Sequence, residues 1–450
     1  PITRCNTPVI IAVQYKKMHQ ILSPCQHAAR RRLLASLVYA QPMLIRVCLN
    51  SGFLVLMWLL FATPGNAAEW SAEPSIRAGG EYNDNLRLTI QPHDTVKGRE
   101  ISPKLGLSAR SEIWQIGAGA ELIHKRYSGD SELDRDDKLF NLSSSYKTER
   151  SQWGLSGAKS KTSVLADRQI DVNTGLIQVQ RDQDARSISP SWSWNMTELT
   201  QLKLSYAVSD VSYANGESIG LYDYRSQTIT SRITREFSQQ NSGLIDVGYS
   251  FFRVPKTGVE SRNTSVQAGF IRIFSEDSSG SLTAGLRQTA TFVPGGLPTY
   301  AYDKNGAIFQ TGVSTTQHAD STSSVYNASL ERLMNNVRIS ITLRRALDPG
   351  SNGNQAKTDY FGLNLERPLS ARFTAYLFTE AYKVSTITST ISGTDRKLYR
   401  VEPRVRWKWT PELSVDTTYR FTHLKRASED SAAKANAVYL TLVYQWQKIS

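Results

Sequence analysis

Cysteine is nearly missing from this 450-residue chain: its three copies, Cys5, Cys25 and Cys48, all precede residue 69. A body without cysteine excludes a disulfide scaffold, a thiolate metal site and a cysteine nucleophile together. Long apolar runs are as scarce. Residues 53–62 form the only strongly apolar one, and a helix that spans a membrane needs roughly 20 such residues. A basic block is lacking too. Lys and Arg number 53 against 40 Asp and Glu, a balance of +13 that invites a nucleic-acid partner. Residues 1–68, however, hold seven of those cations (Arg4, Lys16, Lys17, Arg30, Arg31, Arg32, Arg46) and no acid. The rest carries 46 cations against 40 acids, or +6, without a cluster, so nucleic acid is not an expected partner.

Glycine-rich phosphate cradles and metal-ligand spacings are absent as well, so neither a cofactor nor a metal is expected. Four histidines follow residue 68: His93, His124, His318 and His423. Ser128 is a conceivable partner for His124, and Asp416 for His423, but no spacing fixes a nucleophile–base geometry. The chain is expected not to be an enzyme, with no catalytic residues.

What is present begins with a processing segment. Arg46, the apolar run 53–62 and the small residues Thr63-Pro64-Gly65-Asn66-Ala67-Ala68 follow the order of a secretory signal. A start at Met43 gives that signal an ordinary length. The expected organisation is an upstream extension over 1–42, a signal peptide over 43–68 and a single domain over 69–450.

Within that domain the recurring pattern is alternation, the period-2 signature of strands with two unlike faces. Over 398–409 the even positions read Leu398, Arg400, Glu402, Arg404, Arg406, Lys408, and the odd ones Tyr399, Val401, Pro403, Val405, Trp407, Trp409. Leu413 to Phe421, Val337 to Leu343 and Val438 to Trp446 repeat the scheme. Strands are expected near 75–90, 100–110, 112–127, 136–148, 151–162, 185–195, 199–210, 223–237, 242–254 and 260–275. Further ones are expected near 279–292, 322–334, 336–346, 357–367, 370–384, 395–409, 412–424 and 435–448. The links between them alternate between short turns and long loops. That sorting by side, with an even count of about eighteen strands (sixteen as the alternative), predicts a transmembrane, antiparallel, up-and-down β-barrel in a cell outer membrane.

Tryptophan placement agrees. Trp114, Trp153, Trp192, Trp194, Trp407, Trp409 and Trp446 all lie close to a short turn or a chain end, on one side, as an interfacial girdle requires. Parity directs Arg232, Arg338, Arg344, Arg372, Arg400, Glu402, Arg404, Arg406, Lys408, Asp416 and Arg420 to the lumen. Two consequences stay open at this point: an aqueous lumen that favours anions, or cross-strand ion pairs that hold the register. The longest loop, 293–321, is either a plug or a surface loop. Asp130, Glu132, Asp134, Asp136 and Asp137 read as a solvated outer loop with a weaker prospect of a divalent ion shared with lipopolysaccharide. Asp171, Asn173 and Gly175 read as an Asx turn more than a calcium loop.

The opening Gly79-Gly80-Glu81-Tyr82-Asn83-Asp84-Asn85-Leu86-Arg87-Leu88-Thr89, with Ile101-Ser102-Pro103-Lys104-Leu105-Gly106-Leu107 after it, resembles a family of outer-membrane β-barrel porins. Relatives of that family accompany exopolysaccharide biosynthesis and export operons of Gram-negative bacteria, including exosortase-type ones. The resemblance implies a pore or accessory component for polysaccharide secretion. A general or anion-selective diffusion porin, a plugged structural barrel and a lipid-modifying enzyme are the alternatives. Implied partners are outer-membrane lipid and lipopolysaccharide, the barrel-assembly machinery and polysaccharide-export components. One departure is visible. Barrels of this class usually end on an aromatic residue, whereas Gln447-Lys448-Ile449-Ser450 follow Trp446.

Overall fold

The computed structural model describes residues 69–449 except 92–94, 130, 165–180, 218–220, 297, 303–307, 314, 350–354, 387–390, 393–394 and 428–429. The expected extension and signal peptide, His93, Asp130 and the segment 171–175 therefore lie outside the described residues. Strands follow in the order β1 (Glu69–Asn83), β2 (Val96–Arg110), β3 (Trp114–Ser128), β4 (Arg135–Lys147), β5 (Ser151–Ser163), β6 (Asp182–Thr197) and β7 (Thr200–Tyr213). They continue with β8 (Tyr224–Ser238), β9 (Asn241–Val254), β10 (Val259–Ser275), β11 (Ser278–Val293), β12 (Pro298–Tyr302), β13 (Ile308–Val313) and β14 (Gln317–Met334). The last are β15 (Val337–Pro349), β16 (Gln355–Pro368), β17 (Phe373–Thr386), β18 (Ile391–Ser392), β19 (Arg396–Lys408), β20 (Leu413–Arg426) and β21 (Ala433–Gln445).

Eighteen of these form one antiparallel sheet in chain order, and β1 pairs with β21 to close it. The fold is a closed 18-strand barrel. Alternation is what permits it, because a strand with one apolar and one polar face can put lipid on one side and water on the other. The exposed face is the apolar one. Leu286 (61% exposed), Leu440 (55%), Ile245 and Val266 (both 54%) stand on it, the reverse of a soluble β-sandwich. Between Trp407 and Tyr399 on β19 this face spans about 20 Å along the membrane normal, at ~3.3 Å per residue and ~40° tilt. Such a barrel belongs in an outer membrane.

Short turns and long loops sort to opposite ends as expected, but β1 is displaced. It ends at Asn83 rather than 90. Side chains there take over the backbone bonding: the Asn83 Oδ1 accepts from the Asn85 amide at 2.9 Å, and the buried Asn85 donates its Nδ2 to the Thr89 and Lys434 carbonyls. Asp84 accepts from both the amide and the side chain of Asn436, at 2.7 Å each. The opening motif thus fastens the first strand to the last.

The other end of the seam explains the residues after Trp446. The Trp446 amide donates to the Pro74 carbonyl, and Ala72 and Ile449 exchange backbone hydrogen bonds of 2.8 and 3.1 Å. The register slips by one residue across this step, a bulge that lets 446–449 continue along β1. Gln447 also donates to Glu412 in the β19–β20 turn. That bond, assisted by Thr410, holds the Glu412 carboxyl below its usual range.

Candidate functional site

Parity decides which side chains meet inside. On β19 the inward series runs Leu398, Arg400, Glu402, Arg404, Arg406, Lys408, and all but the exposed Lys408 are shielded or supported by the neighbouring strands. Arg406 forks onto Asp416 of β20 with two 2.8 Å bonds. Arg420 donates to Glu402 at 2.6 Å and covers the Tyr439 ring at 4.7 Å. Arg400 reaches Glu380 of β17 at 3.1 Å. Across the barrel Arg232 forks onto Asp246 at 2.6 and 2.8 Å, and Arg338 stands 3.8 Å from Glu366. Arg344 lies opposite Tyr360 in the register. Arg404 has an aromatic support instead of an acid: its guanidinium lies 4.1 Å from the Tyr376 centroid.

Of the two consequences left open by the sequence, the structure displays the cross-strand pairing. Cross-strand pairs form, yet cations outnumber acids. Among the described side chains of β15–β20 the inward cations are Arg338, Arg344, Arg396, Arg400, Arg404, Arg406, Lys408, Arg420 and Arg426. They face the carboxylates Glu366, Glu380, Glu402 and Asp416. A recess of about 380 Å³ opens in this arc, between Arg338, Asn364, Glu366, Tyr376, Glu402 and Arg404. Arg372 is a correction. It sits in the turn between β16 and β17, where its carbonyl accepts from the Lys408 amide at 2.8 Å, and not on the barrel wall.

Sequence reasoning stopped short of β1–β4, where the same parity holds. Arg77 pairs with Glu121, the almost fully buried Lys125 pairs with Glu81, and Arg135 lies 3.2 Å from Asp137. Continued alternation from Arg77 to Glu81 was the signal for them. Two inward-folding loops had no such signal. Leu88, from the loop after β1, packs against Tyr382, Val384, Leu398 and Leu424 on the inner face. Leu221, from the loop after β7, packs against Val211, Phe252, Val254 and Val293. They narrow the long-loop end of the barrel. The longest loop behaves differently: its β12–β13 hairpin pairs, through β12, with β18 of another loop on the same end.

The remaining candidates resolve by side. The expected acidic loop is divided. Asp136 and Asp137 belong to β4 and point to opposite faces, Asp136 to His124 (2.5 Å) and Arg126 (3.1 Å) on the outside, Asp137 to Arg135 within. Asp134 accepts from the Tyr127 amide at 2.7 Å. No group of carboxylates, histidines or cysteines suited to a metal ion occurs among the described residues. Asp416 and His423 are seven residues apart on β20, an odd separation that puts them on opposite faces, so they cannot form a catalytic pair. Ser128 Oγ donates to the Lys97 carbonyl at 3.2 Å. The tryptophans share the outward face near the short turns: Trp192 lies 5.8 Å from Trp153 and 6.0 Å from Trp194, and Trp407 stacks between Phe373 and Trp409. Trp114 and Trp446 stand beside the same end, Trp446 edge-on to Tyr444.

No protein-family model matches the sequence, and no curated protein does. Among solved structures the barrel is similar to Acinetobacter baumannii OccAB2, at 11% identity and a TM-score of 0.43 over 85% of this chain and 98% of that one. It is also similar to the outer membrane protein OpdK of Pseudomonas aeruginosa, at 8% identity and 0.41 over 84% and 99%. The copper transporter OprC aligns at 10% identity and 0.43, over 82% of this chain and 65% of its own.

Proposed function

We propose that this barrel is a passive outer-membrane pore that favours small anionic solutes. The observation that carries this reading is the surplus of inward cations over carboxylates on β15–β20, with Arg404 held over Tyr376 rather than neutralised by an acid. Eighteen strands enclose more space than wall side chains fill, and a cationic wall in a confined lumen raises the local concentration of anions. The charge sits on rigid strands, so the field is preorganised.

Secretion of a polysaccharide is a second reading. Its supports are the resemblance of the Tyr82–Asn85 segment and the hydroxyl-lined inner faces of β5–β11, which suit a polyol. The inward-folded loops at Leu88 and Leu221 favour small solutes over a polymer.

The test is single-channel current through the barrel in planar bilayers under a salt gradient. Anion-selective current is expected, and Arg404→Glu should lower the anion-to-cation permeability ratio by about twofold or more. An added hydroxylated polymer that interrupts the current would favour the secretion reading. Absence of current from folded protein would end both.

A further inference from the structure

The outward face at the long-loop end carries a feature the lumen does not use. Lys383 of β17 is the cross-strand partner of Lys397 of β19, and Lys397 is the partner of Lys425 of β20. Three lysines thus stand side by side on adjacent strands, about 5 Å apart along the hydrogen-bonding direction. All three are exposed. None makes a hydrogen bond or an ion pair among the described residues. The nearest carboxylate in the same row, Asp359, lies opposite Lys383 but is taken by the fork of Arg345. Like charges directly opposite one another weaken a sheet, so an unneutralised row of three runs against the folding interest of the wall.

The height of the row identifies what meets it. Lys397 is two residues beyond Tyr399, the aromatic residue that ends the apolar stretch on β19. The lysines therefore project at the headgroup level of the outer leaflet. Lys434, which pairs with His423 one step nearer the apolar band, adds a fourth ammonium on β21. The other arc differs. Arg225 is forked by Asp210, and Arg126 and His124 share Asp136. Where like charges oppose there, as Arg99 with Arg126 and Lys138 with Lys161, one member already has an acid: Asp136 for Arg126, Asp182 for Lys161.

We propose that Lys383, Lys397 and Lys425, with Lys434 beside them, form a docking site for the phosphate groups of a phosphorylated glycolipid of the outer leaflet. Three ammonium groups in a row match phosphates on a sugar headgroup whose acyl chains then lie along Tyr399, Val401 and Val405, all exposed on the same face. Lysine serves here as a point charge and requires no fixed fork geometry.

The experiment uses the refolded barrel in vesicles doped with lipid A or with the same lipid stripped of its phosphates, and a separate inorganic phosphate competition. Folding is monitored by the heat-dependent shift in gel mobility. Phosphorylated lipid A should bind at least about tenfold more tightly than the stripped form. The triple change Lys383→Gln, Lys397→Gln, Lys425→Gln should abolish that preference, and Lys397→Gln alone should weaken it. The triple change Lys97→Gln, Arg99→Gln, Lys138→Gln on β2 and β4 should leave it intact. Equal binding of both lipids, or an unchanged preference in the first triple variant, overturns the site. Displacement by millimolar inorganic phosphate also overturns it, since it would mark a site for free anions. None of these readouts depends on conductance.

Discussion

Between β5 and β14 the inner wall is built mostly from short neutral side chains, with Arg232 and Asp246 as a paired exception, whereas between β15 and β20 long charged ones recur. In the first arc Ser281 meets Ser329 at 2.7 Å, Ser261 meets Thr291 at 2.9 Å and Thr289 donates to Asn263 at 2.7 Å. In the second, Arg406 forks onto Asp416, Arg420 reaches Glu402 and Tyr376 lies under Arg404. The backbone ladder is the same in both. What differs is how register and lumen are served. Hydroxyl pairs hold neighbouring strands with about 0.5–1.5 kcal/mol each and leave the interior wide. Charged pairs cost more to desolvate and project further, and their imbalance leaves a field. One arc leaves room, and the other carries the charge on which the proposed selectivity rests.

The largest effect that would sharpen this contrast comes from the charged strands β1–β4 that separate the two arcs, at the Lys125–Glu81 pair, where both side chains are only 2% exposed. Lys125→Met removes the ammonium that the buried Glu81 faces, so a loss of about 3–5 kcal/mol is expected in guanidinium unfolding of the lipid-embedded barrel. A loss below about 1 kcal/mol would show that water reaches Glu81 and that charged pairs in this wall are as wet as the hydroxyl arc. Next in size is Leu88, the inward anchor of the first loop against the charged arc. Leu88→Ala should cost about 2–4 kcal/mol of local stability, read as faster amide exchange over 84–91 with little change in the strands. If exchange there stays slow, the loop is held by the Asn85 hydrogen bonds alone. The smallest effect belongs to the hydroxyl arc. Ser281→Ala should cost about 1 kcal/mol or less, and Ser281→Ala with Ser329→Ala about as much as either alone. A cost above about 2 kcal/mol would mean that the neutral arc is as finely tuned as the charged one.

Much of the barrel was legible residue by residue. Alternation from Leu398 to Trp409 named both faces of β19, and the sorting of short turns from long loops named the strand number and the two ends. Parity placed Arg400, Arg404 and Arg406 within, and the tryptophans outside. The same rule separates Asp416 from His423, which are conceivable partners in the sequence reading. Arg372 was misplaced because parity was carried past the end of a strand into a turn. The end of β1 was misplaced because Asn83, Asp84 and Asn85 take up backbone bonds with their side chains, a competition that hydropathy does not register.

The sequence by itself determined the strands, their faces and the sign of the wall, since each depends on residues two positions apart in one extended segment. Tertiary structure alone decided that Asp84 would fasten to Asn436, that Leu88 would reach Leu424 and that Lys383, Lys397 and Lys425 would share one row. Those meetings depend on register between segments far apart in the chain, and register emerges only when the sheet pairs and closes.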